Sequence, residues 1–284
     1  MATPIEYIDF PVRIRELEVI RTVHVSDTMI RLTLGGPGAD GFESAIPDEH
    51  IKLIFAEPET GELRLPTPDG DELNWPRPIP TSREYTIRKY RPAEREIDID
   101  FVVHESGLAS DWVTAVQPGD PAYVAGPPGG YKVADDYDRY LVVGDETALP
   151  AIARWLEEMP REHRGWAYIE VPDAGSEMPL DAPAGFSVHW LHNHGRASDV
   201  LERAARASEI VEGESLFVWL AGEAGSIKPL RRWVRNELGI SKQHSSITGY
   251  WKRGLADTHE HLDDDEDEDD EHEELEELEE HDAA

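Results

Sequence analysis

Short segments of alternating apolar and polar residues fill the first half of the chain, and turns rich in Pro and Gly separate them. Strands of this length and spacing are typical of an antiparallel barrel or sandwich. The pattern predicts six strands, at residues 15–25, 29–35, 50–57, 84–90, 96–104 and 121–125. Residues 58–82 are rich in proline, and we expect them to form a covering loop.

After residue 138 the pattern changes to buried-strand runs that alternate with segments of helical spacing. The predicted strands are residues 139–143, 166–171, 187–191 and 214–221, and the predicted helices are residues 150–159, 197–207 and 227–238. Such alternation indicates a mostly parallel sheet with helices on its faces. We therefore predict an N-terminal antiparallel β-barrel, residues 1–134, followed by a Rossmann-like parallel-sheet α/β domain, residues 135–256.

Charge is distributed unevenly along the chain. The 284 residues include 60 Asp and Glu against 27 Lys and Arg, a formal net charge of −33. Eighteen of the acids lie in residues 257–284, where there is no Lys or Arg. Such a segment is expected to be a disordered acidic tail, with a docked terminal helix as the alternative. The rest of the chain is also acidic, which argues against nucleic acid as a partner.

The chain contains no cysteine. Its absence excludes disulfides, thiolate nucleophiles and cysteine-ligated metal centres, so redox chemistry would need a bound cofactor. The sequence shows no secretory signal pattern and no run of eighteen apolar residues. We therefore expect a cytoplasmic protein without a membrane segment.

One segment in the first half combines a cation with an aromatic ring. Strand periodicity places Arg83 and Tyr85 on one face, where a guanidinium can hold a phosphate while the phenol ring lies against a flat ligand. The hydroxyl of Thr86 could reach a ring nitrogen. Taken alone, the segment also fits a surface arginine beside a core tyrosine.

A second segment runs from a strand through a small-residue turn into a helix. The unpaired backbone N–H groups of residues 107–110 would then point out of the helix start, where a diphosphate can bind. The alternative is an ordinary turn whose helix is capped by Ser106 or Ser110.

Two turns in the second half should meet at the carboxyl edge of the parallel sheet, where such sheets place ligands. The first, residues 144–150, contains two acids, so we expect the reacting end of a nicotinamide near Thr147 rather than a diphosphate at Asp145. The alternative is a capped helix start.

The second turn, residues 222–228, is followed by a basic run that could recruit a phosphate: Lys228, Arg231, Arg232 and Arg235. Glu170, after the second strand, could instead accept a ribose hydroxyl and favour NADH, so the choice of nicotinamide stays open.

Several motifs together resemble the siderophore-interacting proteins, FAD-dependent ferric-siderophore reductases of the ferredoxin-reductase-like superfamily. They are Arg-Glu-Tyr-Thr at 83–86, His-Glu-Ser-Gly-Leu-Ala-Ser-Asp-Trp at 104–112, Gly-Pro-Pro-Gly at 126–129, Gly-Asp-Glu-Thr-Ala-Leu-Pro-Ala at 144–151 and Gly-Tyr-Trp-Lys-Arg-Gly at 249–254. The resemblance covers residues 10–256. Leu108 stands where the family often has proline, and Glu105 where glycine is common.

The resemblance implies an FAD-binding barrel and an NAD(P)H-binding α/β domain. The cofactor-binding residues it implies are Arg83, Tyr85, Thr86, His104, Gly107, Leu108, Ala109, Ser110, Asp145, Thr147 and Ala148. A basic pocket over the flavin would hold the ferric hydroxamate or catecholate, with contributions from Lys52, Lys132 and Lys252. Electrons would pass from NADH or NADPH through FAD to Fe(III), and the Fe(II) formed would be released.

Two alternatives remain at this point. One is a ferredoxin-type reductase, in which the acidic surface docks an iron–sulfur protein partner. The other is a non-enzymatic siderophore-binding module, which would be colourless when purified.

Overall fold

The computed structural model describes residues 6–104 and 107–254. The predicted tail, residues 257–284, lies outside them, as do Glu105 and Ser106. The strands are β1 (Glu6–Asp9), β2 (Ile14–His24), β3 (Met29–Gly35), β4 (His50–Ile54), β5 (Thr67–Asp69), β6 (Glu72–Asn74), β7 (Ser82–Arg91), β8 (Glu96–Val102), β9 (Pro121–Ala125), β10 (Gly129–Lys132), β11 (Arg139–Asp145), β12 (Arg164–Val171), β13 (Gly185–His192), β14 (Leu216–Glu223) and β15 (Ser245–Trp251). The helices are α1 (Leu108–Ala115), α2 (Leu149–Glu158), α3 (Val200–Arg206) and α4 (Ala224–Arg232).

The first half forms a closed antiparallel barrel in the order β2-β3-β8-β7-β4-β9. All six predicted strands take part, because their alternating apolar side chains fill one common interior. On β8, for example, Ile97, Ile99 and Phe101 are fully buried in the barrel core. The predicted strand 96–104 ends at Val102, where the chain leaves the barrel towards α1. The Pro-rich loop contains a small hairpin, β5–β6, that the alternation did not predict.

The second half is a five-stranded parallel sheet in the order β13-β12-β11-β14-β15. This arrangement confirms the predicted Rossmann-like layer. From the central strand β11 the chain adds β12 and β13 on one side, and then β14 and β15 on the other side. The fifth strand, β15, is absent from the sequence prediction. The helix predicted over 227–238 is α4 followed by a π-helical turn at Trp233–Glu237.

A buried ionic contact joins the barrel to the sheet. Arg154 on α2 donates through Nη1 to Glu49 Oε1 at 3.2 Å and to the backbone oxygen of Ile87 on β7 at 2.9 Å. Arg154 is 3% exposed and Glu49 1%. Ser44 donates a second hydrogen bond to Glu49. Because Arg154 and Glu49 are shielded from water, each depends on its partners for solvation.

Further contacts extend this seam towards the carboxyl edge of the sheet. Thr28, in the turn between β2 and β3, donates its hydroxyl to Glu146. The neighbouring Asp27 N–H donates to the Gly175 oxygen at 3.0 Å. On the other side, Trp219 Nε1 donates to Asp48 Oδ2 at 2.9 Å. The barrel is therefore fixed against the sheet at several separated points.

Among the residues that the structure describes, no helix has both the length and the apolar composition needed to cross a bilayer.

Replacing Arg154 tests the seam. Arg154→Met should lower the free energy of unfolding by about 3–5 kcal/mol, because it leaves the Glu49 carboxyl buried without its cation. Adding Glu49→Gln should restore part of the loss. The control is Arg161→Met, since Arg161 pairs with Asp181 while both are largely exposed, and should cost less than about 1 kcal/mol. Urea titration measures all four proteins, and equal losses for the two arginines would contradict the account.

Candidate functional site

The segment Arg83–Thr86 lies on β7, which pairs with β4 and β8 in the barrel wall. The Tyr85 ring packs on Phe101 with centroids 4.1 Å apart and planes inclined by 34°. Burial raises the pKa of the Tyr85 phenol far above its ordinary value, so it stays neutral. Arg83 is half-buried beside it and donates to the Ser82 oxygen at 2.6 Å. The two residues thus lie two positions apart on one strand, the spacing at which strand periodicity places side chains on one face.

The second predicted segment adjoins the same aromatic cluster. Trp112 on α1 packs against Phe101 with ring centroids 6.2 Å apart, and against Phe55 at 5.6 Å. Leu108 and Ala109 also pack against the barrel core. An apolar hollow lined in part by Phe55 and Trp112 adjoins this helix. The two motifs, 18 or more positions apart in sequence, therefore share one end of the barrel.

The start of α1 has the open backbone donors that an anion site needs. Gly107 is the N-cap residue and provides no side-chain hydrogen bond. Ser110, which could have capped the helix, is buried and accepts from the His104 N–H at 3.4 Å instead. The His104 ring lies over Gly107, where an added Cβ would come within 2.5 Å of His104 Cε1. These observations fit a diphosphate seat, since the first-turn N–H groups have no acceptor inside the helix.

Asp145, at the end of β11, is the centre of the carboxyl edge. Its Oδ1 accepts from the backbone N–H and hydroxyl of Thr147, at 2.9 and 2.6 Å. Its Oδ2 accepts from Glu223 N and Trp251 Nε1, both at 2.8 Å. A carboxylate has about four lone-pair sites, so all of them are used within the protein. Asp145 joins the ends of three adjacent strands.

The other two predicted residues of this turn are also engaged internally. Thr147 donates its hydroxyl to Asp145, and Ala148 is fully buried. Gly144 is required here by close approach, because an added Cβ would lie 2.6 Å from the Ala148 Cβ and 2.8 Å from the Ala221 oxygen. The turn therefore offers a ligand mainly its backbone and its shape. Whether these residues bind a nicotinamide stays a prediction.

Glu223 secures the neighbouring turn. Its Oε2 accepts from Ser226 N at 2.9 Å as the N-cap of α4, and its Oε1 accepts from Arg253 N at 3.1 Å. Burial opposes ionisation, but these backbone donors outweigh it and lower the pKa of Glu223. The chain beyond β15 is thereby held against α4.

The residues from which the sequence analysis argued for NADH or for NADPH are engaged within the protein. Glu170 is 7% exposed, and its Oε1 accepts from Asn193 Nδ2 at 2.7 Å and from Ser198 Oγ at 3.3 Å. Arg231 is buried, and Arg235 donates to the Ile240 oxygen and to Ser245 Oγ. Both arguments for a specific nicotinamide are therefore weakened by the structure.

Tyr250 is a site residue whose role the sequence analysis missed, although it lies in a quoted motif. It is hydrogen-bonded to the side chain of Thr86, and burial raises the pKa of its phenol well above the ordinary value. Its ring also meets Trp219 edge-on, with centroids 6.4 Å apart. Tyr250 thus brings the last strand of the sheet to the predicted flavin strand of the barrel.

The three predicted substrate lysines are placed differently. Lys52 on β4 pairs with Glu84 on β7, with Nζ 2.9 Å from Oε1. Lys252 follows Tyr250 by two positions, and the strand partner of Lys52, Glu84, precedes Thr86 by two positions. Lys132 is exposed at the end of β10, opposite Glu6.

The fold is ferredoxin-reductase-like. Ferredoxin-NADP+ reductase from Plasmodium falciparum has the same fold, with a TM-score of 0.58 at 9% identity, covering 84% of this chain and 97% of that chain. The model of the siderophore-interacting FAD-binding domain matches residues 18–131, and that of the siderophore-interacting protein matches residues 137–254. The chain belongs to the siderophore-interacting protein family.

Individual relatives agree with this assignment. Ferric vibriobactin reductase ViuB of Vibrio cholerae is 35% identical over 243 residues, covering 84% of this chain and 90% of that protein. The NADPH-dependent ferric-chelate reductase of Escherichia coli is 35% identical over 243 residues, covering 84% and 93%. The crystal structure of a siderophore utilization protein from T. fusca superimposes with a TM-score of 0.85 at 38% identity, covering 90% of this chain and 99% of that chain.

Glu146 should make stability fall with rising pH. Burial, together with Asp145 and Asp173, raises its pKa above 4.5, although Thr28 opposes the shift. A carboxyl whose pKa is higher in the native state disfavours folding as pH rises through that range. Glu146→Gln keeps an acceptor for Thr28, so it should flatten the decline above pH 4.5 and be more stable than the wild type at pH 7. Denaturant titrations across pH, with exposed Glu72→Gln as control, measure this; unchanged slopes would contradict it.

Proposed function

We propose that this protein is an FAD-dependent ferric-siderophore reductase, which takes electrons from NAD(P)H and releases chelated iron as Fe(II). The observation that carries the proposal is the junction at β7. There the segment Arg83–Thr86 and the start of α1 share one end of the barrel. Tyr250 and Arg154 connect β7 to the Rossmann-like parallel sheet. The names of the two curated relatives, a ferric vibriobactin reductase and a ferric-chelate reductase, support the same activity.

Arg83, Tyr85 and Thr86 would hold the flavin end of FAD, and the backbone of residues 107–110 its diphosphate. When bound, FAD converts a two-electron hydride donor into a source of single electrons, which no side chain can do. The neutral phenol of Tyr85 supplies an aromatic surface and not a charge. Arg83 supplies the cation that the uncharged helix start lacks. Leu108 fits this role because the donors are backbone groups.

At the sheet, the nicotinamide dinucleotide would approach the carboxyl edge near Thr147. Asp145 acts there as a positioning residue, because its hydrogen bonds fix the turn, the end of β14 and Trp251 together. The name of the Escherichia coli relative supports NADPH as the donor. Reduced ferredoxin is the alternative donor, for which the acidic surface provides a docking charge.

The substrate is Fe(III) held by anionic hydroxamate or catecholate oxygens. Lys52, whose strand partner Glu84 is two positions from Thr86, and Lys252, two positions from Tyr250, are the leading candidates to hold the chelate, with Lys132 behind them. Lysine suits this role because a mobile point charge adapts to chelates of different shapes. Reduction weakens the complex, since oxygen chelators hold the softer Fe(II) ion less tightly.

The division that goes with this function assigns residues 1–134 to FAD, residues 135–256 to NAD(P)H and residues 257–284 to an acidic tail. We also propose a cytoplasmic location, where nicotinamide dinucleotides are available to the enzyme.

A ferrous-trapping assay tests the activity directly. Purified protein loaded with FAD is mixed anaerobically with a ferric hydroxamate or catecholate, a ferrous chelator and one electron donor: NADPH, NADH or reduced ferredoxin. Steady formation of the ferrous complex with a nicotinamide donor supports the proposal. Formation with ferredoxin alone would support the alternative donor, and no turnover with any donor would overturn the function.

Tyr85→Ala and Arg83→Ala should each purify with less than about one tenth of the wild-type FAD content. The reason is that each removes a side chain proposed to contact the flavin or its phosphate. Flavin absorbance per mole of folded protein measures the loss. Tyr131→Ala is the matched control, because Tyr131 is 55% exposed on β10 and this variant should keep its FAD.

A protein without residues 257–284 should also keep its FAD. Loss of FAD from this variant would show that the tail takes part in cofactor binding.

Lys252→Ala should raise the KM for an anionic ferric siderophore about tenfold, with little change in the reduction of a small uncharged electron acceptor. Loss of one charge from the chelate's surroundings explains this split. Lys89→Ala, on the exposed side of β7, is the control and should change neither. Equal losses with both acceptors would instead indicate that Lys252 acts on FAD or on the nicotinamide.

A further inference from the structure

Two of the three candidate substrate lysines lie opposite a glutamate on the neighbouring strand. Lys52 on β4 is the strand partner of Glu84 on β7, and Lys132 on β10 is the strand partner of Glu6 on β1. Side chains of directly paired residues project from the same face of a sheet, so each lysine has an acid beside it. Positive charge at these two positions is therefore accompanied by negative charge.

Lys52 and Glu84 make a direct ionic contact. Lys52 Nζ lies 2.9 Å from Glu84 Oε1, and the two side chains are 40% and 23% exposed. His50 approaches the other carboxylate oxygen, with its Nε2 3.7 Å from Oε2. Because the pair is partly shielded from solvent, salt screens it less than it screens fully exposed ions. Glu84 therefore offsets the charge that Lys52 presents to its surroundings.

This ion pair adjoins the proposed flavin contacts. Glu84 lies between Arg83 and Tyr85 on β7, and alternation along the strand places it on the same face as Thr86. The strand partner of Thr86 is His50, so both members of the ion pair and these two residues form one patch on two paired strands. A ferric chelate that reaches a flavin held by Thr86 would therefore lie near both charges of the pair.

The protein around this patch is strongly acidic. Even without the eighteen acids of residues 257–284, Asp and Glu outnumber Lys and Arg. Such an excess produces a negative potential that repels anions as they approach, whereas uncharged and cationic molecules are not repelled. Both the local pair and the overall charge thus act against a highly anionic ligand.

The main siderophore classes differ in the charge of their ferric complexes. Each hydroxamate brings a single negative charge, so three of them balance Fe(III) and leave a neutral centre. Each catecholate brings two negative charges, so three of them leave a trianion. An acid beside the binding lysine discriminates between these two classes, since like charges that meet at a binding site disfavour the more negative ligand.

We propose that Glu84 is a specificity-determining residue that offsets the Lys52 charge and thereby selects neutral or cationic ferric hydroxamates over trianionic ferric catecholates. This inference rests on the proposed function and names its substrate class, because it requires the chelate to be held at Lys52. The ammonium group of lysine has three N–H donors, so it can donate to a neutral hydroxamate complex while the ion pair stays in place. A trianion must instead displace the Glu84 carboxylate or bind beside it.

Three ferric trihydroxamates with the same iron centre test the effect of charge alone. A linear trihydroxamate with a free terminal amine gives a cationic complex, its acetylated form a neutral complex and its succinylated form an anionic complex. Ferrous trapping with FAD-loaded protein and the nicotinamide donor that supports turnover gives kcat/KM for each. Wild-type protein should reduce the cationic complex with a kcat/KM about fivefold higher than that for the anionic complex.

Charge variants of the pair should change this cationic-to-anionic ratio in opposite directions. Glu84→Gln removes the negative charge and should lower the ratio about fivefold, whereas Lys52→Gln leaves the acid uncompensated and should raise it about fivefold. The double variant again has no net charge at the pair, so its ratio should lie within about twofold of the wild-type ratio. Higher ionic strength should reduce all of these differences.

The matched control is Asp181→Asn. Asp181 makes a comparable contact with Arg161, whose Nη2 lies 2.9 Å from Oδ1, but this pair precedes β12 and β13 at the amino edge of the sheet. The substitution changes the net charge of the protein as much as Glu84→Gln does, and it should leave the ratio within about twofold of the wild-type ratio. A fivefold decrease in this control would indicate an effect of net charge alone and overturn the role of Glu84.

The outcomes separate the inference from the function on which it rests. No ferrous iron from any complex would overturn the proposed function. Turnover that ignores the charge of the complex, or shifts in the same direction for Glu84→Gln and Lys52→Gln, would overturn only the inference. A ferric tricatecholate reduced as efficiently as the neutral trihydroxamate would also overturn it. Should Glu84→Gln purify without FAD, Lys52→Gln decides, because an unchanged ratio there would show that the pair does not sense the chelate's charge.

Discussion

Arg154 is a buried cation on α2, and it links the sheet to the barrel while also pairing with Glu158 on its own helix. It contacts the Glu49 carboxyl and the backbone oxygen of Ile87, one residue after the segment Arg83–Thr86. A buried guanidinium must have such acceptors, since an unpaired one costs several kcal/mol. The contacts of Arg154, together with the other contacts of the seam, therefore fix the predicted flavin strand relative to the sheet. Electron transfer between two bound cofactors depends on that relative position.

The acidic residues at the carboxyl edge of the sheet also hold parts of the structure in fixed relative positions. Asp145 and Glu223 accept backbone and indole N–H groups from adjacent turns, and Glu146 accepts the Thr28 hydroxyl from the barrel. Their charges, which oppose a diphosphate, are thereby used to hold turns and strands together. The proposed diphosphate site lies instead at α1, where the described residues provide no side-chain cap to the helix start. The two proposed cofactor sites thus differ in chemistry. The FAD site would use open backbone N–H donors, whereas the nicotinamide site would use turns whose polar side chains are already hydrogen-bonded within the protein.

Most of the barrel could be predicted from the sequence because each of its strands has one face in a common core, which makes apolar residues alternate. The strand β15 could not be predicted, since its apolar positions are few and its bulge breaks the alternation at Tyr250. The pairing of Arg83 with Tyr85 follows from strand geometry alone. The internal roles of Asp145, Glu170 and Arg235 do not, because their partners are remote in sequence and only the fold brings them together. The same holds for Tyr250 and Thr86, which come from different halves.

A structure of the protein with FAD bound tests the central claim most directly, that the barrel and the sheet meet at one flavin seat. The account predicts the isoalloxazine ring against Tyr85, the Thr86 hydroxyl directed at a ring nitrogen, and the diphosphate at the backbone N–H groups of residues 107–110. A ring bound away from β7, or a diphosphate bound at Asp145 with its hydrogen bonds broken, would contradict it.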